Sequence, residues 1–203
     1  MLWQLGCEHG DPSLANLMAD GHFGVINDWD LSHKTGENHV GGERTGTLPF
    51  MALDLLEDGA LAGKTTRLYR HDLEGLIWIL PWVFLQFEDG RLVNVQLTEW
   101  CTGNHVDCRA HKTDLLDRMS DAEPTASWSE EWDVAYTALQ WVEKLRDERR
   151  SKARENKANR TNEPFQEPPA EDMYPSFLRQ LWGSRQLYPT LEELMRELEM
   201  VPS

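Results

Sequence analysis

The hydrophobic and polar positions of the chain predict a short β-hairpin followed by a series of helices. Near the N-terminus, the apolar run Asn16–Ala19 and the return run His22–Asn27 flank Asp20-Gly21, a dipeptide favoured in two-residue hairpin turns. We therefore expect two short antiparallel strands here. The following residues 31–48 are polar and rich in glycine, which predicts a surface loop.

Longer apolar patterns predict helices over most of the remaining chain. Residues 72–86 are apolar on nearly all faces, as in a buried helix, with Asp72 at the position of an N-cap. Pro81 predicts a kink or an early end of this helix. Further helical or ordered segments are predicted at residues 49–57, 107–119, 130–150, 174–182 and 189–198. The predicted fold class is therefore mainly α, with a short β-hairpin near the N-terminus.

Composition suggests three parts along the chain. Residues 151–172 are polar, charged and proline-bearing, and we expect this segment to be a disordered linker or insertion. Residues 1–150 would then form the main lobe, and residues 173–203 would form C-terminal helices that pack back on it.

Net charge and cysteine content restrict the possible partners and the compartment. The chain has 203 residues and a formal net charge of −15, which disfavours nucleic acid and anionic membrane surfaces as partners. No apolar run reaches the roughly 18 residues that a transmembrane helix needs. The three scattered cysteines do not form a disulfide framework, so an intracellular location in cytoplasm or nucleus is expected.

One run of polar residues, His9–Asn16, carries candidate chemistry, together with Asp28. Phosphoryl transfer needs a carboxylate that orients the attacking hydroxyl, and oxygen ligands that hold Mg²⁺ against nucleotide phosphates. Asp11, Asn16 and Asp28 supply these groups in the order and spacing of a kinase catalytic loop and its metal-binding Asp.

Two later motifs give this spacing a more specific meaning. Arg44–Ala52, which reads Arg-Thr-Gly-Thr-Leu-Pro-Phe-Met-Ala, resembles the end of the activation segment in the fungal-type protein kinase family. Tyr69–Trp78 resembles that family's Tyr-Arg-His-Asp-Leu-Glu stretch. The similarity covers about residues 5–120, including segments around Trp100 and Lys112, and a weaker one covers 174–200.

This resemblance implies a protein kinase-like large (C-terminal) lobe that uses ATP and Mg²⁺ and acts on a protein substrate. It assigns Asp11 as catalytic base, and Asn16 and Asp28 as ligands of Mg²⁺ and thereby of ATP. Thr45 and Thr47 fall in the activation segment.

Three other residues gain a supporting role from the resemblance. His9 would pack under the metal-binding segment, and Asp72 would accept hydrogen bonds from backbone N–H groups of the catalytic loop. Asp54 takes the place of the Glu of the usual Ala-Pro-Glu and would pair with a late arginine, Arg179 or Arg185. Gly10 stands where many protein kinases have Arg.

No stretch of the chain resembles the glycine-rich loop and the lysine-bearing strand of a kinase small lobe. We therefore expect the small lobe to be absent and the truncated lobe to be inactive alone. Two alternatives stay open. One is a non-catalytic pseudokinase or interaction fragment. The other is a small-molecule phosphotransferase of the aminoglycoside or choline kinase type, which His-Gly-Asp and Ile26–Trp29 also resemble.

Overall fold

The computed structural model describes residues 7–20, 23–34, 46–57, 65, 67–101 and 103–182. Contacts divide the chain into two units, Met1–Ser129 and Glu130–Ser203. The first unit thus ends before residue 150, where composition had suggested the boundary. The two units are described separately below.

Four short strands open the first unit. They are β1 (Cys7–Glu8), β2 (Leu17–Asp20), β3 (Phe23–Ile26) and β4 (His33–Lys34). Strands β2 and β3 pair antiparallel with Met18 opposite Val25, which confirms the predicted hairpin, although its turn lies outside the described residues. Strand β4 pairs antiparallel with β1, so the start of the expected loop at 31–48 is a strand.

Helix α1 (Tyr69–Phe84) begins before the predicted start, and Asp72 is not its N-cap. Leu68 occupies the cap position with an extended backbone, and its N–H donates to His71 Nδ1 at 2.9 Å. Asp72 lies in the first turn, with its carboxylate free to act elsewhere. The helix continues through Pro81, because this residue lies in the last turn and its missing N–H removes only one hydrogen bond there. The helix ends at Phe84.

A second hairpin and a second α-helix follow in the described part of this unit. Strands β5 (Phe87–Glu88) and β6 (Arg91–Leu92) pair antiparallel around Asp89-Gly90, whose φ angles are 47° and 74°. Such a turn needs positive φ at both positions, which the Asp-Gly pair signals in the sequence. Helix α2 (His105–Asp117) follows, with the Asn104 side chain accepting two backbone N–H groups at its start.

Helix α1 is the centre of the core of this unit. Trp78 and Trp100 are buried, with their rings edge to face at 5.5 Å. On another face, a Cβ added to Gly75 would lie 2.5 Å from Pro12 Cγ and 2.9 Å from the Phe50 carbonyl oxygen. A glycine is therefore required where the loop of residues 9–16 and the turn at Phe50 pack on the helix.

The second unit contains helices α3 (Trp132–Asn159) and α4 (Ala170–Trp182), with Trp141 and Phe177 in ring contact at 5.4 Å. The expectation of disorder at 151–172 differs from the structure, because α3 continues to Asn159. Lys152 Nζ binds Glu163 at 2.7 Å, and Arg149 pairs with Glu167, so charged side chains tie the following segment to the helix.

The predicted helix at 189–198 lies outside the described residues. None of the helices in the described part of the chain has the length and apolar character needed to cross a membrane.

Candidate active site

Asp72, in the first turn of helix α1, anchors the loop of residues 9–16 through two hydrogen bonds. Its Oδ2 accepts the His9 N–H at 2.6 Å, and its Oδ1 accepts the Gly10 N–H at 3.1 Å. Asp72 is completely buried, so both bonds form away from water and are charge-assisted. These are the contacts that the kinase resemblance implies for this residue.

His9 connects the same loop to the segment that contains Asp28. The buried ring accepts the Asp11 N–H at Nδ1 (3.2 Å) and donates from Nε2 to the Asn27 carbonyl oxygen (2.9 Å). These two bonds select the neutral tautomer with its proton on Nε2. The ring also meets Trp29 edge to face at 4.6 Å, so His9 supports both neighbours of Asp28.

Gly10 is fixed by local packing. Its φ is +91°, and a Cβ at this position would lie 2.6 Å from the Leu31 carbonyl oxygen. An arginine here would therefore require the backbone to move. The glycine that departs from the usual protein kinase pattern is a structural requirement of this loop.

Asp11 is the point where three predicted site residues meet. Its Oδ1 accepts the Thr47 N–H at 2.6 Å, and its Oδ2 accepts the Thr47 hydroxyl at 3.1 Å. The Asn16 Nδ2 donates to the Asp11 carbonyl oxygen at 3.0 Å and reaches Oδ2 at 3.4 Å. The carboxylate thus lies between the loop and the segment that begins at Gly46.

Asp28 joins this group through the backbone. The Asn27 N–H donates to the Asn16 carbonyl oxygen at 2.8 Å, which places Asp28 beside the loop at the end of hairpin β2–β3. Asp28 is exposed and has a φ of 60°, a left-handed conformation that Asp adopts more readily than most residues. Thr45, the other predicted threonine, lies outside the described residues.

The donor atoms fit a hard divalent cation. Because Asn16 Nδ2 is directed at Asp11, its Oδ1 is the amide atom that can bind a metal, and Asp28 adds an exposed carboxylate. Mg²⁺ accepts one or two such oxygen ligands together with phosphates and water. No group of three or more His, Cys, Asp or Glu suited to a metal occurs among the described residues, and this arrangement does not need one.

The segment at 46–57 is held by helix α1 through Asp54, but not in the way the sequence suggested. Asp54 binds the Arg70 guanidinium and His71 Nε2, the latter at 3.1 Å. Burial acts to raise the pKa of Asp54, yet His71 and Arg70 hold it well below the usual value. Of the expected partners, Arg179 donates its Nε to the Pro175 carbonyl oxygen, and Arg185 lies outside the described residues.

Helix α2 holds the same segment from a second side. The buried Lys112 Nζ donates to the Met51 carbonyl oxygen at 2.5 Å and lies 4.5 Å from the centre of the Trp78 ring. Burial lowers the pKa of Lys112 to about 8, although Cys108 and Glu74 oppose the shift. Burial thus disfavours the charged form of Lys112, while the hydrogen bond to Met51 and the contact with the Trp78 ring favour it.

Two further residues contact the candidate site, and the sequence patterns did not predict a role for either of them. Arg67 Nη2 donates to the Gly10 carbonyl oxygen. Glu74 is buried and its Oε1 accepts the Leu53 N–H at 2.8 Å. The sequence offered a signal only for Glu74, the last residue of the Tyr-Arg-His-Asp-Leu-Glu stretch at the start of helix α1.

No curated protein and no solved structure matches the chain. A family model described as fungal protein kinase matches residues 2–84, which contain the loop with Asp11, the segment with Asp28, the Thr47 segment and helix α1. The similarity proposed for residues beyond 84 is not part of this match and stays a prediction. Over residues 2–84, the chain is therefore similar to the fungal protein kinase family.

Proposed function

We propose that this chain carries the phosphoryl-transfer centre of a protein kinase that moves the γ-phosphoryl group of ATP to a Ser or Thr hydroxyl of a protein. The observation that carries the proposal is the shared Asp11 carboxylate. It is bound by the Asn16 amide on one side and by Thr47 on the other, beside Asp28.

Asp11 has the properties of a base that orients a hydroxyl nucleophile. Its Oδ2 already accepts a hydrogen bond from an alcohol, the Thr47 hydroxyl, at 3.1 Å. Asp11 is half-buried, its backbone N–H donates to His9 Nδ1, and its carboxylate accepts from Thr47 and Asn16, so the direction of the carboxylate is fixed before a substrate arrives. Positioning of this kind supplies much of the rate enhancement in phosphoryl transfer.

Asn16 Oδ1 and the Asp28 carboxylate are the groups that would hold Mg²⁺. When bound, the cation neutralises charge on the nucleotide phosphates. The left-handed backbone at Asp28 supports this role. Such a conformation costs free energy, an exposed carboxylate does not repay it through packing, and backbone strain of this kind is concentrated at functional sites.

The Thr47 segment favours a protein substrate over a small molecule. This segment resembles a kinase activation segment, and its Thr47 binds the proposed base through both the N–H and the hydroxyl. Three side chains of helix α1 and two of α2 fix its later part, which gives a rigid surface beside Asp11 for a peptide: Arg70, His71, Glu74, Arg109 and Lys112.

The test measures both Mg-ATP binding and transfer of labelled phosphate to Ser/Thr peptides, with an aminoglycoside and choline as competing acceptors. The sequence predicts a lobe that is inactive alone, whereas the proposed centre predicts Mg-ATP binding and transfer, and the wild-type chain decides between these two predictions. Where the wild type is active, Asp11→Asn should abolish transfer with binding retained, and Asp28→Ala should abolish both. The matched control is Asp30→Ala, an exposed acid close to Asp28 that should change neither. Preferred phosphorylation of choline or the aminoglycoside would overturn the assignment of a protein substrate. Binding and transfer that survive in Asp28→Ala would overturn the site.

A further inference from the structure

Arg67 lies two residues before helix α1, and its guanidinium reaches the loop that carries Asp11. The side chain is half-buried, and Nη2 donates to the Gly10 carbonyl oxygen. That carbonyl belongs to the peptide group that links Gly10 to Asp11. A contact at this oxygen therefore acts directly on the orientation of the Asp11 backbone.

Gly10 needs such a contact more than another residue would. With a φ of +91° and no side chain, it has access to a wide range of backbone conformations. Asp72 fixes one side of Gly10 by accepting its N–H at 3.1 Å. Arg67 fixes the other side at the carbonyl oxygen. Together they hold the backbone conformation of the residue before the proposed base.

The guanidinium also lies close to the segment that binds Asp11 from the opposite side. A Cβ placed on Gly46 would lie 3.7 Å from Arg67 Nη2 and 3.5 Å from the Gly10 carbonyl oxygen. Gly46 directly precedes Thr47, whose N–H and hydroxyl bind the Asp11 carboxylate. Arg67 thus binds one of the two chain segments that determine where this carboxylate points and lies close to the other.

The charges around Arg67 match this position. Glu8 and Asp72 are buried acids, and Asp11 is half-buried. Burial lowers the pKa of the Arg67 guanidinium, and Asp72, Glu8 and Asp11 act in the opposite direction. An arginine stays charged under such burial, so it balances acidic groups that would otherwise repel one another.

We propose that Arg67 is a positioning residue that sets the direction of the Asp11 carboxylate through the Gly10 carbonyl and the adjoining Gly46–Thr47 segment. The proposal rests on the phosphoryl-transfer function proposed above. It predicts that loss of the guanidinium loosens the contact between Asp11 and Thr47 before it loosens the rest of the 46–57 segment.

Amide hydrogen exchange measured by NMR tests this without any need for catalysis. The Thr47 N–H, bound to Asp11, reports the proposed effect, and the Leu53 N–H, bound to Glu74, is the internal reference. In Arg67→Met, Thr47 should exchange at least tenfold faster while Leu53 changes less than twofold. Arg67→Lys should restore part of the protection. Arg109→Met removes a guanidinium that binds the Leu53 carbonyl and should leave Thr47 unchanged.

An unchanged Thr47 rate in Arg67→Met would overturn the proposal, as would equal acceleration at Thr47 and Leu53, since that pattern means general destabilisation. If Arg67→Met does not fold, the same comparison is made in Arg67→Lys, with a smaller expected effect at Thr47. In the transfer assay, Arg67→Lys should lower kcat with the KM for ATP unchanged. Absence of transfer by the wild type would count against the proposed function and leave the exchange result to decide the role of Arg67.

Discussion

Replacement of Asp72 by Asn separates its role as an anchor of the loop of residues 9–16 from that of an ordinary acid in the first turn of a helix. In the native site, each carboxylate oxygen accepts one buried backbone N–H, from His9 at 2.6 Å and from Gly10 at 3.1 Å. Asparagine keeps one acceptor and turns an NH₂ group toward the other amide, so one buried donor loses its partner.

The magnitude follows from these two bonds. A hydrogen bond to a charged group contributes about 1.5–3 kcal/mol, and an unsatisfied buried donor costs about 1–3 kcal/mol. Asp72→Asn should therefore lower the free energy of unfolding by about 2–4 kcal/mol. The loss should appear locally as faster exchange of the His9 and Gly10 amides.

Asp107→Asn is the matched control, because Asp107 is an exposed acid in the first turn of α2. It should cost only about 0.3–1 kcal/mol through the helix dipole. The assay is urea denaturation followed by tryptophan fluorescence, with amide exchange as the local measurement. Equal losses in the two variants would refute the reasoning, since Asp72 would then act only through the dipole.

Three further perturbations test other parts of the structure. Because the folded-state pKa of Lys112 is about 8 and its ordinary value is 10.5, the unfolded chain binds more protons between these pH values. Stability relative to Lys112→Met should rise by up to about 3 kcal/mol from pH 8 to pH 10.5 in urea titrations, and a flat difference would exclude burial as the cause. Asp28→Gly should raise stability in thermal melts by about 1 kcal/mol through relief of the left-handed backbone, whereas Asp28→Ala should not. Asp54→Asn should lower the free energy of unfolding by about 1–3 kcal/mol, because the buried Arg70 loses a charged partner; denaturation unaffected by this change would contradict the pairing.

Much of the fold could be predicted because its signals are local. The apolar runs on either side of Asp20-Gly21 and the apolar run after Asp72 predicted the β2–β3 hairpin and helix α1. The start of α1 was misjudged because a carboxylate near a helix start is usually a cap. The carboxylate of Asp72 instead serves residues more than sixty positions away. No local pattern reports such a contact.

The second half of the chain was predicted less well for a related reason. The end of α3 is stabilised by ion pairs with residues that follow it, such as Lys152 with Glu163. Composition reads the same charges as a signal of disorder. A charged segment can form a stable helix when its side chains form ion pairs. Here the partners, Glu163 and Glu167, come from the segment that follows the helix and packs beside it.

The site shows the same division between local and long-range signals. Spacing and resemblance predicted Asp11, Asn16, Asp28 and Thr47 as site residues, since these residues lie within recognisable motifs, and the structure brings Asn16 and Thr47 to Asp11. They did not identify Arg67, whose contact with Gly10 spans 57 positions. They also assigned Asp54 to late arginines, while the structure supplies Arg70 and His71 from helix α1.

Binding of Mn²⁺ with ATP, observed by paramagnetic broadening of amide signals, tests most directly the claim that this loop is a metal–nucleotide site. Mn²⁺ takes the oxygen ligands that suit Mg²⁺ and broadens signals only near its binding position. Broadening should centre on Asn16 and Asp28, require ATP for its full extent, and disappear in Asp28→Ala while persisting in Asp30→Ala. Broadening that spreads over other exposed acids, or that survives in Asp28→Ala, would contradict the account.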